Sequence, residues 1–202
     1  MFKFRRIFLL IFLINLISCS YLIKTKKNRE ALLSQYLNKM QAFRIDGVIE
    51  INYNQLAFRK NVTIIKQTNN AKIIIYEAGL FGLKPEPFIS LTIRNDEIIN
   101  FESELLLNNE MQYTEMFNFI NMFNSMKTQK DEIINNQQTN FRNYEFIFTD
   151  DMKLDKIHNY QENFKVEFSY NGSLNELIFH KDNINIGKIT VDKFSKMEKE
   201  NN

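Results

Sequence analysis

The alternation of apolar and polar residues is the sequence feature that most constrains this fold. Phe164, Val166, Phe168 and Tyr170 alternate with polar neighbours, and Asn171-Gly172 follows them directly. A period of two places successive side chains on opposite faces of a strand, and Asn-Gly is the strongest short-range signal for a hairpin. This part of the chain is therefore predicted to be an antiparallel hairpin with one buried face.

Further runs typical of strands, most of them alternating and one dense in β-branched residues, recur along most of the chain. The others are Ile49–Tyr53, Leu56–Lys66, Ile73–Tyr76, Phe88–Arg94, Ile98–Glu104, Tyr144–Phe148, Leu174–His180 and Ile184–Val191. Within each group of runs, before and after the helical segment at 111–126, no crossover helix intervenes, so we expect antiparallel pairs. The order predicts a mainly β protein of the α+β class. Its antiparallel sheet is expected to be curved or incompletely closed, with helices packed on the concave side.

Two stretches have helical periodicity. In Asn28–Phe43, which starts at a predicted N-cap, apolar residues recur at three- and four-residue steps. In Met111–Met126, methionine and phenylalanine cover more than half of the circumference of a helix, which requires burial on a wide face. Residues 127–139 are polar, and we predict a loop with one helical turn at Asp131–Asn135.

The first nineteen residues have the organisation of an export signal. Three basic residues precede Ile7–Ile17, an apolar run that is short for a transmembrane helix. The run ends at Leu16-Ile17-Ser18-Cys19, which resembles the lipobox of bacterial lipoproteins, and Cys19 is the only cysteine. The resemblance implies cleavage before Cys19, with diacylglycerol on its thiol and an acyl group on its amine. The alternative is an ordinary secretory signal with an incidental cysteine.

Cleavage at that position defines four segments. They are the signal peptide 1–18, a lipidated tether 19–28, one domain 29–194 and a charged tail 195–202. Removing 18 of the 202 residues leaves 184, the size of a single domain with a substantial core. Removing the three positive charges of the signal from the net charge of +2 leaves −1. We therefore expect no nucleic-acid partner.

The order of elements, on a chain with a lipobox, is similar to that of the outer-membrane lipoprotein receptor LolB and its soluble relative LolA. The similarity covers about Gln41–Phe194, with local features at Phe43–Ile49, Ile73–Gly82 and Leu154–Phe194. It implies an unclosed half-barrel, lidded by helices, whose apolar cavity receives the acyl chains of other lipoproteins. The chain departs from the family because it has no tryptophan and because its loop after Ile73–Tyr76 lacks the proline that typically precedes Leu-Gly in the family.

That loop combines turn residues with large apolar ones. Two glycines and both prolines of the chain surround Leu80, Phe81 and Leu83. An apolar triplet in a turn is unfavourable in water. It therefore either folds back over the end of the barrel or projects into a bilayer or a partner. The resemblance favours projection and implies that Leu80, Phe81 and Leu83 form a membrane-insertion loop.

The resemblance also implies a lining for the acyl cavity. The lining residues would be inward strand residues and residues of the Met- and Phe-rich helix: Ile49, Ile51, Met116, Phe117, Ile120, Phe123, Phe164, Val166 and Phe168. Methionine is unbranched and flexible, so this helix provides a wall that can repack around acyl chains of different shapes. The competing interpretation is ordinary core packing.

Motifs for catalysis or metal binding are not found in the sequence. His158 and His180 lack a cysteine partner and metal-ligand spacing, and Asp150-Asp151 is typical of a turn. The sequence contains no Gly-rich phosphate loop, nucleophile elbow or zinc motif. We therefore expect no enzymatic activity, no metal and no cofactor other than the covalent lipid on Cys19.

Two functions are consistent with these features. The first is a monomeric acyl-binding protein, anchored in the outer membrane and facing the periplasm. It would accept lipoproteins or lipids from a LolA-like carrier and release them into the membrane. Ser20 favours the outer membrane under the enterobacterial sorting rule. The second is a structural or protein-docking lipoprotein with a filled core. Residues 108–126 border an empty or lipid-filled volume in the first case and are closely packed in the second.

Overall fold

The computed structural model describes residues 25–53, 56–77, 85–94, 97–103 and 116–197. Cys19, Leu80, Phe81 and Leu83 lie outside these ranges, and so does the predicted signal peptide. Within the ranges, eleven strands form: β1 Phe43–Tyr53, β2 Leu56–Gln67, β3 Asn70–Tyr76, β4 Pro87–Arg94, β5 Glu97–Ser103, β6 Gln138–Phe141, β7 Tyr144–Phe148, β8 Leu154–Asn159, β9 Phe164–Asn171, β10 Ser173–Lys181 and β11 Ile184–Lys196. Neighbouring strands pair antiparallel, which confirms the predicted class of fold.

The strands form one sheet in the order β5-β4-β3-β2-β1-β11-β10-β9-β8-β7-β6. Strands that follow each other in sequence are neighbours, except that β5 and β6 lie at opposite edges of the sheet. The chain therefore forms two meanders that are joined in the middle by β1 and β11, its first and last strands. The sheet is unclosed, as predicted, because β5 and β6 do not pair in the described part of the chain.

The sheet curves around a helical segment that connects its two edges. A 3-10 helix, Asn118–Gln129, contacts β3, β4 and β6. Strands β4 and β6 are nine inter-strand steps apart, or about 43 Å in a flat sheet at ~4.8 Å per step. Twelve residues of 3-10 helix extend only about 24 Å at ~2.0 Å per residue. The sheet must therefore bend, and this helix lies on its concave side.

Helix α1 comprises residues 25–39 of the described chain and differs from the prediction at both ends. Residues 25–28 were assigned to the tether, so Asn28 is inside the helix and is not its N-cap. Phe43 is the first residue of β1, because it pairs with Lys66 of β2 and Lys196 of β11. The predicted apolar face is confirmed, since Leu33 and Leu37 are fully buried.

The Met- and Phe-rich segment is a 3-10 helix from Asn118 onward, although an α-helix was predicted. Twelve residues are long for a 3-10 helix. The cause is in the sequence, where every third residue from Asn118 to Lys127 is polar. Three residues per turn align such a repeat into one stripe, whereas 3.6 residues per turn would spread it around the helix. The stripe that begins at Phe117 is apolar and buried, and it contains Ile120, Phe123 and Met126.

Two further differences concern the ends of elements. Residues 127–139 were predicted as a loop with a turn, but Lys130–Asn136 forms helix α2 and Gln138–Phe141 forms β6. Strand β6 has only four residues, too few for its alternation to be recognised. Strand β11 continues to Lys196, past the predicted domain end at Phe194, because β1 offers backbone partners up to Phe43.

Strands β1 and β11 approach each other closely at Gly47. A Cβ atom at this position would lie 2.2 Å from the carbonyl oxygen of Thr190. The pairing register shifts between Asp46 and Gly47, as expected for a β-bulge. A side chain would therefore push the two strands apart, so glycine is required where the two meanders join.

Candidate functional site

The concave side of the sheet carries the apolar interior of the domain. The nine residues that were predicted to line an acyl cavity are all buried there, with exposed fractions of at most 6%: Ile49, Ile51, Met116, Phe117, Ile120, Phe123, Phe164, Val166 and Phe168. The strand residues among them alternate with more exposed neighbours, as the period of two requires. The structure therefore brings the predicted residues together on one side of the sheet.

Aromatic rings connect the helical segment to the sheet beneath it. The ring of Phe119 lies 5.9 Å from that of Phe168 on β9, and the ring of Phe117 lies 6.1 Å from that of Phe179 on β10. Phe123 contacts Phe43 of β1 at 6.2 Å. All three pairs are close to perpendicular, an arrangement that aromatic pairs favour. The segment Met116–Gln129, which we call the lid, therefore covers strands from both halves of the sheet.

The gap between the lid and the sheet is very small. A cavity of about 10 Å³ lies between α1, the lid and the strands, and Met40, Ile120, Phe123, Phe168 and Leu174 are among its walls. A single water molecule needs about 10–15 Å³ of such space. No acyl chain fits into this gap as it stands. Entry of a chain between these described residues requires that the lid moves away from the sheet.

Asn118, at the start of the 3-10 helix, carries a polar atom that the closed lid does not satisfy. Its Oδ1 is buried and has no hydrogen-bond partner among the residues that the structure describes. A buried acceptor without a partner costs about 1–3 kcal/mol. Among the described residues, the closed lid therefore leaves this acceptor unsatisfied, and exposure to water would give it a partner.

The outer rim of the lid is held by polar contacts to turns and edge strands. Asn124 donates hydrogen bonds to the carbonyl oxygen of Thr68 and, at 3.4 Å, to Oδ1 of Asn69, both in the β2–β3 turn. Gln129 donates to the carbonyl oxygen of Asn140 on β6 at 3.1 Å. These contacts are exposed, so water can replace them at little cost.

A buried lysine at the same rim was missed by the sequence analysis. Lys66 is completely buried, and its Nζ donates to the carbonyl oxygen of Thr68 at 2.9 Å. The carbonyl oxygen of Thr68 thus accepts hydrogen bonds both from Asn124 of the lid and from the buried ammonium group of Lys66. The signal was present in the alternation of β2, since Val62, Ile64 and Lys66 lie on the same inward face.

Helix α1 is attached to the sheet by a pair of tyrosines. Tyr170 donates to the carbonyl oxygen of Leu154 at 2.8 Å, so the 3.1 Å contact between the two hydroxyl oxygens is donated by Tyr36. Burial raises the pKa of Tyr36 and is also the main cause of the raised pKa of Tyr170, to which the neighbouring Tyr36 adds. Both phenols therefore remain neutral in the folded protein, and their hydrogen-bond chain runs in one direction.

Replacing Tyr170 by phenylalanine is expected to lower the free energy of unfolding by about 1–3 kcal/mol, because both Tyr36 and Leu154 lose their partner. Replacing Tyr36 instead leaves the bond to Leu154 intact and should cost about 0.5–1.5 kcal/mol. Urea unfolding followed by circular dichroism measures both values. Equal losses in the two variants would contradict the direction of the hydrogen-bond chain.

The same pair gives an expectation for alkaline pH. The pKa of each phenol is higher in the folded than in the unfolded state. The contribution of the two tyrosines to the free energy of unfolding is therefore fully present below about pH 10. It falls above that pH, by up to about 1.4 kcal/mol per pH unit for each tyrosine. This part of the pH dependence should be absent from a variant with phenylalanine at both positions.

The residues considered for catalysis occupy separate places. His158 lies on β8, with its ring 4.2 Å from that of Tyr160, and His180 lies on β10, with Nε2 3.4 Å from the carboxylate of Glu167. Asp150 and Asp151 are in the turn between β7 and β8, as predicted. In the described ranges, no three histidine, cysteine or acidic side chains gather as metal ligands would.

These features define the class of the protein: an unclosed antiparallel sheet whose apolar concave side is covered by a helical lid. Within the described ranges, no helix has the length and apolar character needed to span a bilayer. The chain matches no protein-family model and no curated protein sequence.

Proposed function

We propose that this protein is a lipid-anchored acyl carrier of the LolA/LolB type. In this proposal, Cys19 carries the lipid that anchors the protein in the outer membrane. The domain is a monomer and faces the periplasm. The cargo is a lipoprotein or another acylated lipid, which a LolA-like periplasmic carrier delivers. The protein passes the acyl chains to the membrane and performs no catalysis.

The observation that carries the proposal is the construction of the interior. One wall is a curved sheet, and the opposite wall is a 3-10 helix rich in methionine and phenylalanine. The lid is outside the hydrogen-bonded ladder of the sheet, so its departure breaks no strand pairing. An acyl chain would replace apolar lid side chains by apolar methylenes, which leaves the total buried apolar area nearly unchanged.

Two features of the closed state favour such an exchange. The exposed contacts at Asn124 and Gln129 can be replaced by water, and the orphaned oxygen of Asn118 gains a partner on opening. Transfer needs no ATP at this protein if the interior binds acyl chains more tightly than the carrier and the membrane binds them more tightly still.

The tight packing of the interior supports a second candidate function. With a gap of about 10 Å³, the domain is also suited to a docking lipoprotein whose core stays closed. In that case the lid never leaves the sheet, and binding takes place on the outer surface.

The experiment that separates these functions measures bound lipid. The full-length chain is extracted from membranes, and native mass spectrometry is performed before and after delipidation. A carrier should show acyl-bearing species that exchange with an added lipoprotein. A mass equal to that of the lipidated chain alone, with no uptake of added lipid, would contradict the proposal and favour the docking function.

The apolar loop gives a prediction about release. Replacing Leu80 and Phe81 by serine should slow delivery into the membrane at least about tenfold, because insertion of two large apolar side chains is lost. Uptake from the carrier should remain unchanged. Delivery and uptake are measured separately with labelled lipoprotein and vesicles. An equal loss in both steps would contradict a membrane-insertion role for this loop.

A further inference from the structure

A groove on the outer side of helix α1 is much larger than the gap under the lid. Its volume is about 190 Å³, and it lies between α1, the turn before β8 and the β9–β10 hairpin. Its apolar walls are formed by Leu32, Met40, Leu174 and Phe194. Met40 and Leu174 also border the internal gap, so they separate the groove from the interior. The groove is therefore a separate concave site with apolar walls.

Two lysines at the groove are held in place by aromatic rings. Nζ of Lys39 lies 4.4 Å from the ring centroid of Phe194, and Nζ of Lys153 lies 5.2 Å from that of Tyr170. Both distances are within the range of cation–π contacts. In the described part of the chain, neither ammonium group is within 4.0 Å of a carboxylate. Within the described residues, both charges therefore lie beside the groove without a carboxylate within 4.0 Å.

The charge at the groove indicates the kind of anion that fits. Asp151 also contributes to its wall, so two ammonium groups and one carboxylate give a net charge of +1. A ligand with one negative charge neutralises this net charge of +1, whereas a ligand with two negative charges leaves one negative charge without compensation. The phenol hydroxyls of Tyr36 and Tyr170 are occupied with each other and with Leu154, and they stay neutral. The lysines therefore provide the charge recognition.

We infer that this groove binds a single-chain amphiphile with a carboxylate head, the fatty-acid class of ligand. The tail lies against Leu32, Met40 and Leu174, and the carboxylate lies between Lys39 and Lys153. The volume of about 190 Å³ is below the ~300–1,000 Å³ of sites for drug-sized molecules. The site therefore takes a medium-length chain or the head end of a longer one. This inference goes beyond the proposed function, since it requires no movement of the lid.

The test uses membranes that contain the full-length chain and a photoreactive eight-carbon carboxylate with a diazirine at its tail. Cross-linked peptides are mapped by mass spectrometry, with octanoate, octanol and octyl phosphate as competitors. Cross-links should fall on residues 32–40 and 170–174, and octanoate should compete at least tenfold better than octanol. Gln35→Trp, which fills the groove from the exposed side of α1, should abolish these cross-links.

Charge recognition is tested with the double variant Lys39→Gln/Lys153→Gln, in which the preference for octanoate over octanol should disappear. The matched control is Lys60→Gln/Lys72→Gln, because these lysines lie on β2 and β3, neither lines the groove, and Lys60 also has a cation–π contact, with Phe88. Three results would overturn the inference: equal competition by octanol and octanoate in the original chain, cross-links that persist in Gln35→Trp, or stronger competition by octyl phosphate than by octanoate.

Discussion

Cross-linking the lid to the sheet is expected to reduce acyl uptake more than tenfold and to leave the fold intact. The positions are Asn69→Cys and Asn124→Cys, whose present side chains are 3.4 Å apart between the β2–β3 turn and the 3-10 helix. A short linker with a reducible bond holds the lid closed, and the gap that the described residues leave beneath the lid measures only about 10 Å³. Binding of a fluorescent acyl probe is measured before and after reduction, which should restore uptake.

A second cysteine pair controls for the cross-linking chemistry. Asn143 and Gln161 are joined by a side-chain hydrogen bond between the β6–β7 and β8–β9 turns, and this bond involves no residue of the lid. Linking Asn143→Cys to Gln161→Cys should leave uptake unchanged. Full uptake by the lid-locked protein would mean that acyl chains do not enter between lid and sheet. Octanoate labelling of the α1 groove should persist in the lid-locked protein, which keeps the two sites distinguishable.

Much of the sheet was predictable from sequence because most of its strands are buried mainly on one face. The hairpin around Asn171-Gly172 was predicted because the period of two and the turn signal agree locally, and β9 and β10 pair across it. The central pairing of β1 with β11 joins residues more than 100 positions apart. In the sequence, this pairing is reflected locally by Gly47. The need for glycine there, which is the short distance to the carbonyl oxygen of Thr190, is apparent only when the two strands lie side by side.

The lid was predicted in position but not in helix type. The pattern of Met111–Met126 was interpreted with 3.6 residues per turn, although the polar residues from Asn118 onward repeat every three. Since 3-10 helices seldom exceed a few residues, the α-helix was the natural assumption. Lys66 and the α1 groove escaped prediction for another reason. The alternation of β2 places Lys66 on the inward face, but its complete burial, and the meeting of α1 with the β9–β10 hairpin, depend on tertiary contacts that no local pattern encodes.

Removing the ring of Phe123 should destabilise the domain and at the same time strengthen acyl binding. Phe123 is buried in the lid, with its ring 6.2 Å from that of Phe43 and 6.3 Å from that of Phe119. Phe123→Ala should therefore lower the free energy of unfolding by about 3–5 kcal/mol. In a carrier, this ring competes with the acyl chain for the same volume. Removal of the ring should raise acyl affinity about tenfold. This change corresponds to a decrease of about 1.4 kcal/mol in the free energy needed to open the lid.

The matched variant is Phe179→Ala, on the sheet opposite the lid. Phe179 is also buried, and its ring lies 6.1 Å from that of Phe117 and 6.3 Å from that of Phe164. We expect a similar loss of stability, because both changes remove a buried ring. Acyl affinity should fall in this variant, since a wall of the site is lost while the competing lid side chain remains. Urea unfolding and titration with a fluorescent acyl probe measure the two quantities. If affinity changes in the same direction in both variants, Phe123 is ordinary core and the lid does not compete with acyl chains.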